Sequence, residues 1–333
     1  MTSTVADAAA ARPRFLWRRL VGRHGWTVGV WVLFLLLIPY WRSLSSQPAA
    51  FDVQSLAIDI LPLALAAMAQ SIVIISGGID LSVGSLMSLV NVVSAKYMVH
   101  MSYREALLYA FALILGGAVA GAFTGSLIVV SRVPDIVVTL AMLFVWAGLA
   151  LQILEIPGGG APQRFLNLGT GTTLSKYLPT SAVLVALALV LIWLPLRWRK
   201  PGLALYAVGS NRSAAYLAGI GVERTRIGAY ALGGAFAAMG GLALTASSGI
   251  GDPNVGAIYT LNSVAAAVLG GVSLLGGIGG LIGPIAAAGI LTLVKTILIL
   301  RGENPNYAQV YQGAIIIVVV MLGGLVARRS ARR

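Results

Sequence analysis

Asp80 stands in the run Gly77-Gly78-Ile79-Asp80-Leu81-Ser82-Val83-Gly84-Ser85-Leu86, between two apolar stretches that are each long enough to cross a bilayer. A carboxylate at the bilayer centre costs roughly 2.5–3.5 kcal/mol even on a lenient insertion scale, so the position needs a reason. Two local structures supply one. In the first, Gly77 and Gly78 break a helix and the unwound backbone lines a path for something polar. Irregular backbone is tolerated at membrane depth only where protein or a water-filled cavity surrounds it. In the second, the run is a tight inter-helix turn and Asp80 caps the helix that follows.

Neither structure involves covalent chemistry, and the remaining residues offer little for it. Cysteine is absent, which removes thiolate metal sites, disulfides and a thiol nucleophile. His24 and His100 are far apart, which argues against a histidine-built metal centre. None of Lys96, Lys176, Lys200 and Lys295 follows a glycine, so no phosphate-binding loop is present and the chain does not hydrolyse ATP by itself. There is no Gly-x-Ser-x-Gly elbow. Of the intramembrane carboxylate candidates, Asp59, Asp80 and Asp135 each fall near a predicted span end, unlike the carboxylate ladder of a proton-driven pump. No catalytic or metal-binding residue is expected.

The elements that position these groups follow from hydropathy. With 58% hydrophobic and 10% charged residues in 333, the chain reads as a polytopic membrane protein, all-α. Spans of about 20 apolar residues fall at Trp26–Trp41, Ser55–Ser76, Leu81–Val99, Ala106–Val130 and Pro134–Leu154 in the first half. They continue at Pro179–Leu196, Ile227–Ser247, Ile258–Val272, Pro284–Leu300 and Gln309–Val326, giving about ten. The third and eighth are expected to be broken or re-entrant, and Gly270-Gly271-Val272-Ser273-Leu274-Leu275-Gly276-Gly277 echoes Gly77-Gly78. The net charge of +13 is concentrated in Arg12, Arg14, Arg18, Arg19 and Arg23, in Arg197, Arg199, Lys200, Arg212, Arg224 and Arg226, and in Arg328, Arg329, Arg332 and Arg333. The positive-inside rule puts all three clusters in the cytoplasm, which an even span count allows, and these flanks are not a nucleic-acid surface. The division is then a basic cytoplasmic segment 1–25, a transmembrane domain 26–326 containing a cytoplasmic loop 197–226, and a basic cytoplasmic tail 327–333. The first span is read as a retained anchor rather than a cleaved signal peptide.

Within the cytoplasmic loop, Ser210 or Asn211 can cap a short helix carrying Ala214, Ala215, Tyr216 and Leu217, and Gly219 or Gly221 can end it. Two turns do not stand alone in water. Either another protein covers this helix or it lies flat on the lipid interface.

Several motifs in order resemble the ribose-type permease family, the membrane subunits of bacterial ABC sugar importers. They are Gly77 to Leu86, Tyr206 to Val222, Val138-Thr139-Leu140, Tyr230 to Gly241, Leu261 to Gly271, and Gly276 to Gly279. The likeness covers roughly residues 55 to 325. It implies a helical bundle working as a dimer in the bacterial cytoplasmic membrane, importing a sugar or sugar-like solute by alternating access. The implied partners are an ABC ATPase subunit of tandem-domain type, a periplasmic sugar-binding protein and a second permease chain, identical or a paralogue. No cofactor is bound by this chain, and ATP and Mg are used by the ATPase. On this resemblance Gly209, Asn211, Ala214, Ala215, Tyr216, Leu217 and Gly219 belong to the ATPase-coupling segment. Gly77, Gly78, Asp80, Ser82, Ser85, Asn91, Asn262 and Ser263 are substrate-path candidates, although Asn91, Asn262 and Ser263 serve equally well as bridges between helices. The chain departs from the family at Thr124, Asp135, Pro284 and Lys295. Lys295 implies either a solute with an acidic group or a salt bridge to an unlike second permease. The rival functions are a branched-chain amino-acid or nucleoside ABC permease, an ion-coupled secondary transporter, and a scaffold without transport.

Overall fold

A computed structural model describes residues 12–173, 175–304 and isolated positions between 307 and 321. The outer parts of the two basic termini, residues 1–11 and 327–333, lie outside the described residues, as does most of the tenth expected span. Twelve helices and no strands make up the described part: α1 (Arg12–Leu44), α2 (Ala49–Ile75), α3 (Val83–Met98), α4 (Tyr103–Ser131), α5 (Asp135–Ile153), α6 (Gln163–Thr170), α7 (Thr180–Trp198), α8 (Lys200–Ser210), α9 (Arg212–Leu217), α10 (Val222–Ser248), α11 (Ala257–Leu269) and α12 (Ile282–Leu300).

Seven of these, α1, α2, α4, α5, α7, α10 and α12, are long and apolar enough to span a bilayer. The third and eighth expected spans are present as α3 and α11, but shortened to 16 and 13 residues. At 1.5 Å per residue these reach about 24 and 20 Å, short of a hydrocarbon core of about 30 Å. The missing length is taken up by two unwound segments, 76–82 before α3 and 270–281 after α11.

The bundle is built around α2 and α10. Their apolar windows are 83% and 67% buried, against 22–28% for α4, α5 and α7. Close approach of α4 and α10 depends on small residues four apart. A Cβ on Gly117 would stand 2.6 Å from the Gly234 carbonyl oxygen, and one on Gly121 would overlap the Tyr230 carbonyl oxygen. Local signals set the ends: Ser102 and Glu105 form a reciprocal capping box at the start of α4, and Arg132 leaves that helix in the left-handed conformation ahead of Pro134.

Candidate functional site

The two unwound segments meet at one end of the bundle, and α8 closes over both. Gly277 N–H donates to the Ile75 carbonyl at 2.9 Å, joining segment 270–281 to the last turn of α2. Tyr206 Oη donates to the Gly279 carbonyl at 2.8 Å, and Arg212 Nη2 donates to the Gly77 carbonyl at 2.8 Å. Burial pushes the Tyr206 phenol above its ordinary range, with the Arg197 charge pulling the other way, so it remains a protonated donor. Gly209 sits at the centre of this junction. A Cβ there would overlap the Ile75 carbonyl oxygen and stand 2.6 Å from Gly277 N. The polar backbone freed by unwinding is therefore paired within the protein, as burial requires. The glycine echo in the sequence marks two segments that touch.

Asp80 is 3% exposed and folds back on its own chain, Oδ1 accepting from Ser82 N–H at 2.8 Å and Ser82 Oγ at 2.6 Å. Ser85 Oγ in turn donates to the Ser82 carbonyl. Fully buried Gln70 holds the Asp80 backbone from α2, its amide donating to the Asp80 carbonyl at 2.8 Å and accepting from its N–H at 3.3 Å. This is the geometry of a locked turn leading into α3. Gln70 carries no sequence signal, because one amide in an apolar stretch does not reveal what it faces.

Asp135, an unexplained departure in the sequence, has a partner. Arg226 Nη2 lies 2.6 Å from its Oδ1, with side chains only 11% and 15% exposed, and Tyr230 Oη donates to its Oδ2 at 2.9 Å. The cluster presses on the turn: a Cβ at Gly78 would stand 2.7 Å from Tyr230 Oη and 2.8 Å from Asp135 Oδ2. The start of α5 and the first turns of α10 thus meet beneath residues 78–79.

The other substrate-path candidates lie elsewhere. Asn91 ties α3 to the loop after α10: Nδ2 donates to Thr245 Oγ1 at 2.9 Å and to the Ile250 carbonyl at 3.1 Å, while Oδ1 accepts from Asp252 N–H at 2.7 Å. Ser263 is buried and donates to the Thr260 carbonyl on its own helix. Asn262 lines a cavity of about 250 Å³ between α2, α10, α11 and α12. The same cavity receives Asp59 and Lys295.

The short helix expected in the loop 197–226 is α9. Asn211 caps it, Oδ1 accepting Ala214 N–H at 2.9 Å, and Gly219 ends it at φ +78°. Ala215 turns inward and is buried, whereas Tyr216 is 73% and Leu217 85% exposed. Two large apolar side chains thus project from a helix that is hydrogen-bonded to the Gly77 turn through Arg212.

Taken together, the spans, the paired unwound segments and the tethered helix define a multi-pass membrane protein of the transport type. A model of the family described as branched-chain amino acid transport system / permease component matches residues 53–320, and the chain belongs to that family. Its relatives include the ribose import permease protein of Bacillus subtilis, 34% identical over 78% of this chain and 80% of the relative. The autoinducer 2 import system permease protein of Klebsiella pneumoniae is 34% identical over 90% and 86% of the two chains. The fructose import permease protein of Rhizobium meliloti is 30% identical over 90% and 85%. No solved structure matches the chain.

Proposed function

We propose that this chain is the translocation subunit of an ATP-driven importer of a sugar or sugar-like solute in the bacterial inner membrane. A separate ABC ATPase hydrolyses ATP with Mg, a periplasmic binding protein delivers solute, and two permease chains pair to form the path. The observation that carries this reading is the connection of α8 and α9, consecutive in the chain, to the two unwound segments. Tyr216 and Leu217 supply an apolar knob for a groove on the ATPase, and Arg212, Gly209 and Tyr206 pass its displacement to residues 77–82 and 270–281. Alternating access needs such a link, since two arrangements of a packed bundle must respond to an event outside it. The Gly77, Gly78, Asp80, Ser82 and Ser85 cluster then acts as the rigid receiver of that motion rather than as a lining for solute. Arg197, Arg199, Lys200, Arg212, Arg224 and Arg226 lie in or beside α7–α10 on the α9 side, which supports a cytoplasmic position for this end, and the even span count expected from the sequence would then put both termini there.

Replacing Tyr216 and Leu217 together by serine is expected to weaken capture of the ATPase by about 30-fold or more, since a buried interface anchor is worth about 2 kcal/mol or more and neighbouring anchors do not simply add. Insertion and thermal stability should be unchanged, because both side chains are exposed. Copurification from detergent-solubilised membranes measures it; undiminished copurification with normal ATP-driven uptake would remove the docking role. The family description favours a second reading, a branched-chain amino acid as cargo. Uptake of labelled leucine against labelled ribose in vesicles holding the whole complex separates the two. Uptake without nucleotide, driven by an ion gradient, would reject both.

A further inference from the structure

Among the described residues, the cavity at Asp59 and Lys295 gathers opposite charges and several hydroxyls without pairing the charges off. Among the described residues neither Asp59 nor Lys295 forms an ion pair within 4.0 Å, although Lys295 is near enough to act on Asp59 electrostatically. Both side chains are exposed at the surface of the single chain, on helices whose opposite faces are buried in the core. Ser247, Tyr259, Asn262, Thr292 and Thr296 complete the polar lining, and Leu63 and Leu291 supply apolar wall. Asp59 lies about 24 Å along α2 from Ile75, so the cavity lies toward the end of the bundle remote from α9.

We propose that this cavity is a solute-binding site built for an uncharged, polyhydroxylated molecule of monosaccharide size. The charges rule out a solute of net charge, and the other polar groups choose between the neutral ones: a zwitterionic amino acid would answer the two charges but leave Tyr259, Asn262, Thr292 and Thr296 without partners, whereas a polyol engages them all. A lone lysine would select an acidic solute, but Asp59 in the same cavity cancels that preference and leaves no net charge. An offset carboxylate and ammonium are complementary to neighbouring hydroxyls, which donate to the one and accept from the other. Tyr259, Asn262, Thr292 and Thr296 extend the same hydroxyl-matching pattern. Size agrees: about 250 Å³ lies just below the roughly 300–1,000 Å³ of clefts for drug-sized ligands. Lys295, a departure from the family's usual residue types, then acts as a hydrogen-bond donor to solute rather than as a bridge to an unlike permease. This rests on the reading of the chain as a permease for a sugar-like solute.

The absence of cysteine makes a direct test possible. In right-side-out vesicles containing the full complex, Thr296→Cys gives a single thiol in the cavity for a membrane-impermeant methanethiosulfonate. D-ribose or D-fructose at high concentration should slow labelling, while D-glucuronate and L-leucine should not. Asp59→Asn or Lys295→Met in that background should raise the sugar concentration needed for protection by about tenfold, the loss of one hydrogen bond to a charged group. Protection by neither neutral sugar would overturn the proposal, as would protection by glucuronate or leucine above that by the sugars. Protection that ignores both substitutions would also overturn it. Failure of ATP-driven uptake with protection intact would count against the importer reading and leave the site standing.

Discussion

Asp135→Ala is expected to lower the stability of the protein by about 3–5 kcal/mol, the cost of leaving one member of a buried ion pair without its partner. Arg226 is 11% exposed and its Nε already has no hydrogen-bond partner, so loss of the carboxylate strands a guanidinium among apolar helices. The damage should spread, because Tyr230 loses the acceptor at 2.9 Å and the turn at Gly78 loses the wall it packs against. Thermal unfolding of the detergent-purified protein, with expression level as a second reading, measures the effect. The double change Asp135→Leu with Arg226→Met should recover much of the loss, since apolar replacement of both partners removes the stranded charge. A single alanine variant as stable as the parent would show that the pair is solvated and structurally idle.

Gly209→Ala is expected to abolish most transport while leaving the spans inserted. The added methyl overlaps the Ile75 carbonyl oxygen, and the Gly277 N–H that bonds to that oxygen is 2.6 Å away. Backbone on both sides cannot swing aside as a flexible side chain would, so α8 must lift from the junction. Overpacking of this kind costs about 1–3 kcal/mol, and here it falls on the contact that joins α8 and α9 to the two unwound segments. Nucleotide-dependent uptake by the reconstituted complex should fall by about tenfold or more. Gly228→Ala is the control: a Cβ there meets nothing within 4 Å. Equal uptake by the two variants would show that the junction does not carry motion.

These two expectations rest on features of different visibility. The GlyGly pairs and the short helix of the loop 197–226 were legible in the sequence, because glycine clusters and an Asn cap followed by two turns and a glycine are local patterns. Helices lie at nine of the ten positions expected for spans, seven of them long and apolar enough to cross a bilayer, since hydropathy is a property of consecutive residues. Less legible were the lengths of α3 and α11. An apolar run of about 20 residues looks the same whether it is all helix or part helix and part unwound glycine segment, and the difference depends on whether neighbours satisfy the freed backbone. Lys295 stands out in the sequence as a departure from the family's residue types, but its cavity with Asp59 does not, because residues more than two hundred positions apart carry no mutual signal in one chain.

Composition and order of residues by themselves determined that this is an all-helical membrane protein with breaks at Gly77–Gly78 and in segment 270–281, because solvation by hydrocarbon acts on each segment separately. Only the tertiary structure decided what those breaks are for. It turned Asp80 into a locked corner, gave Asp135 to Arg226, made Asn91 a bridge and left Asn262 facing a cavity with Asp59 and Lys295. A buried polar group takes its role from whichever partner the packing brings within about 3 Å, and that partner is set by the crossing of helices and not by the residues beside it in the chain.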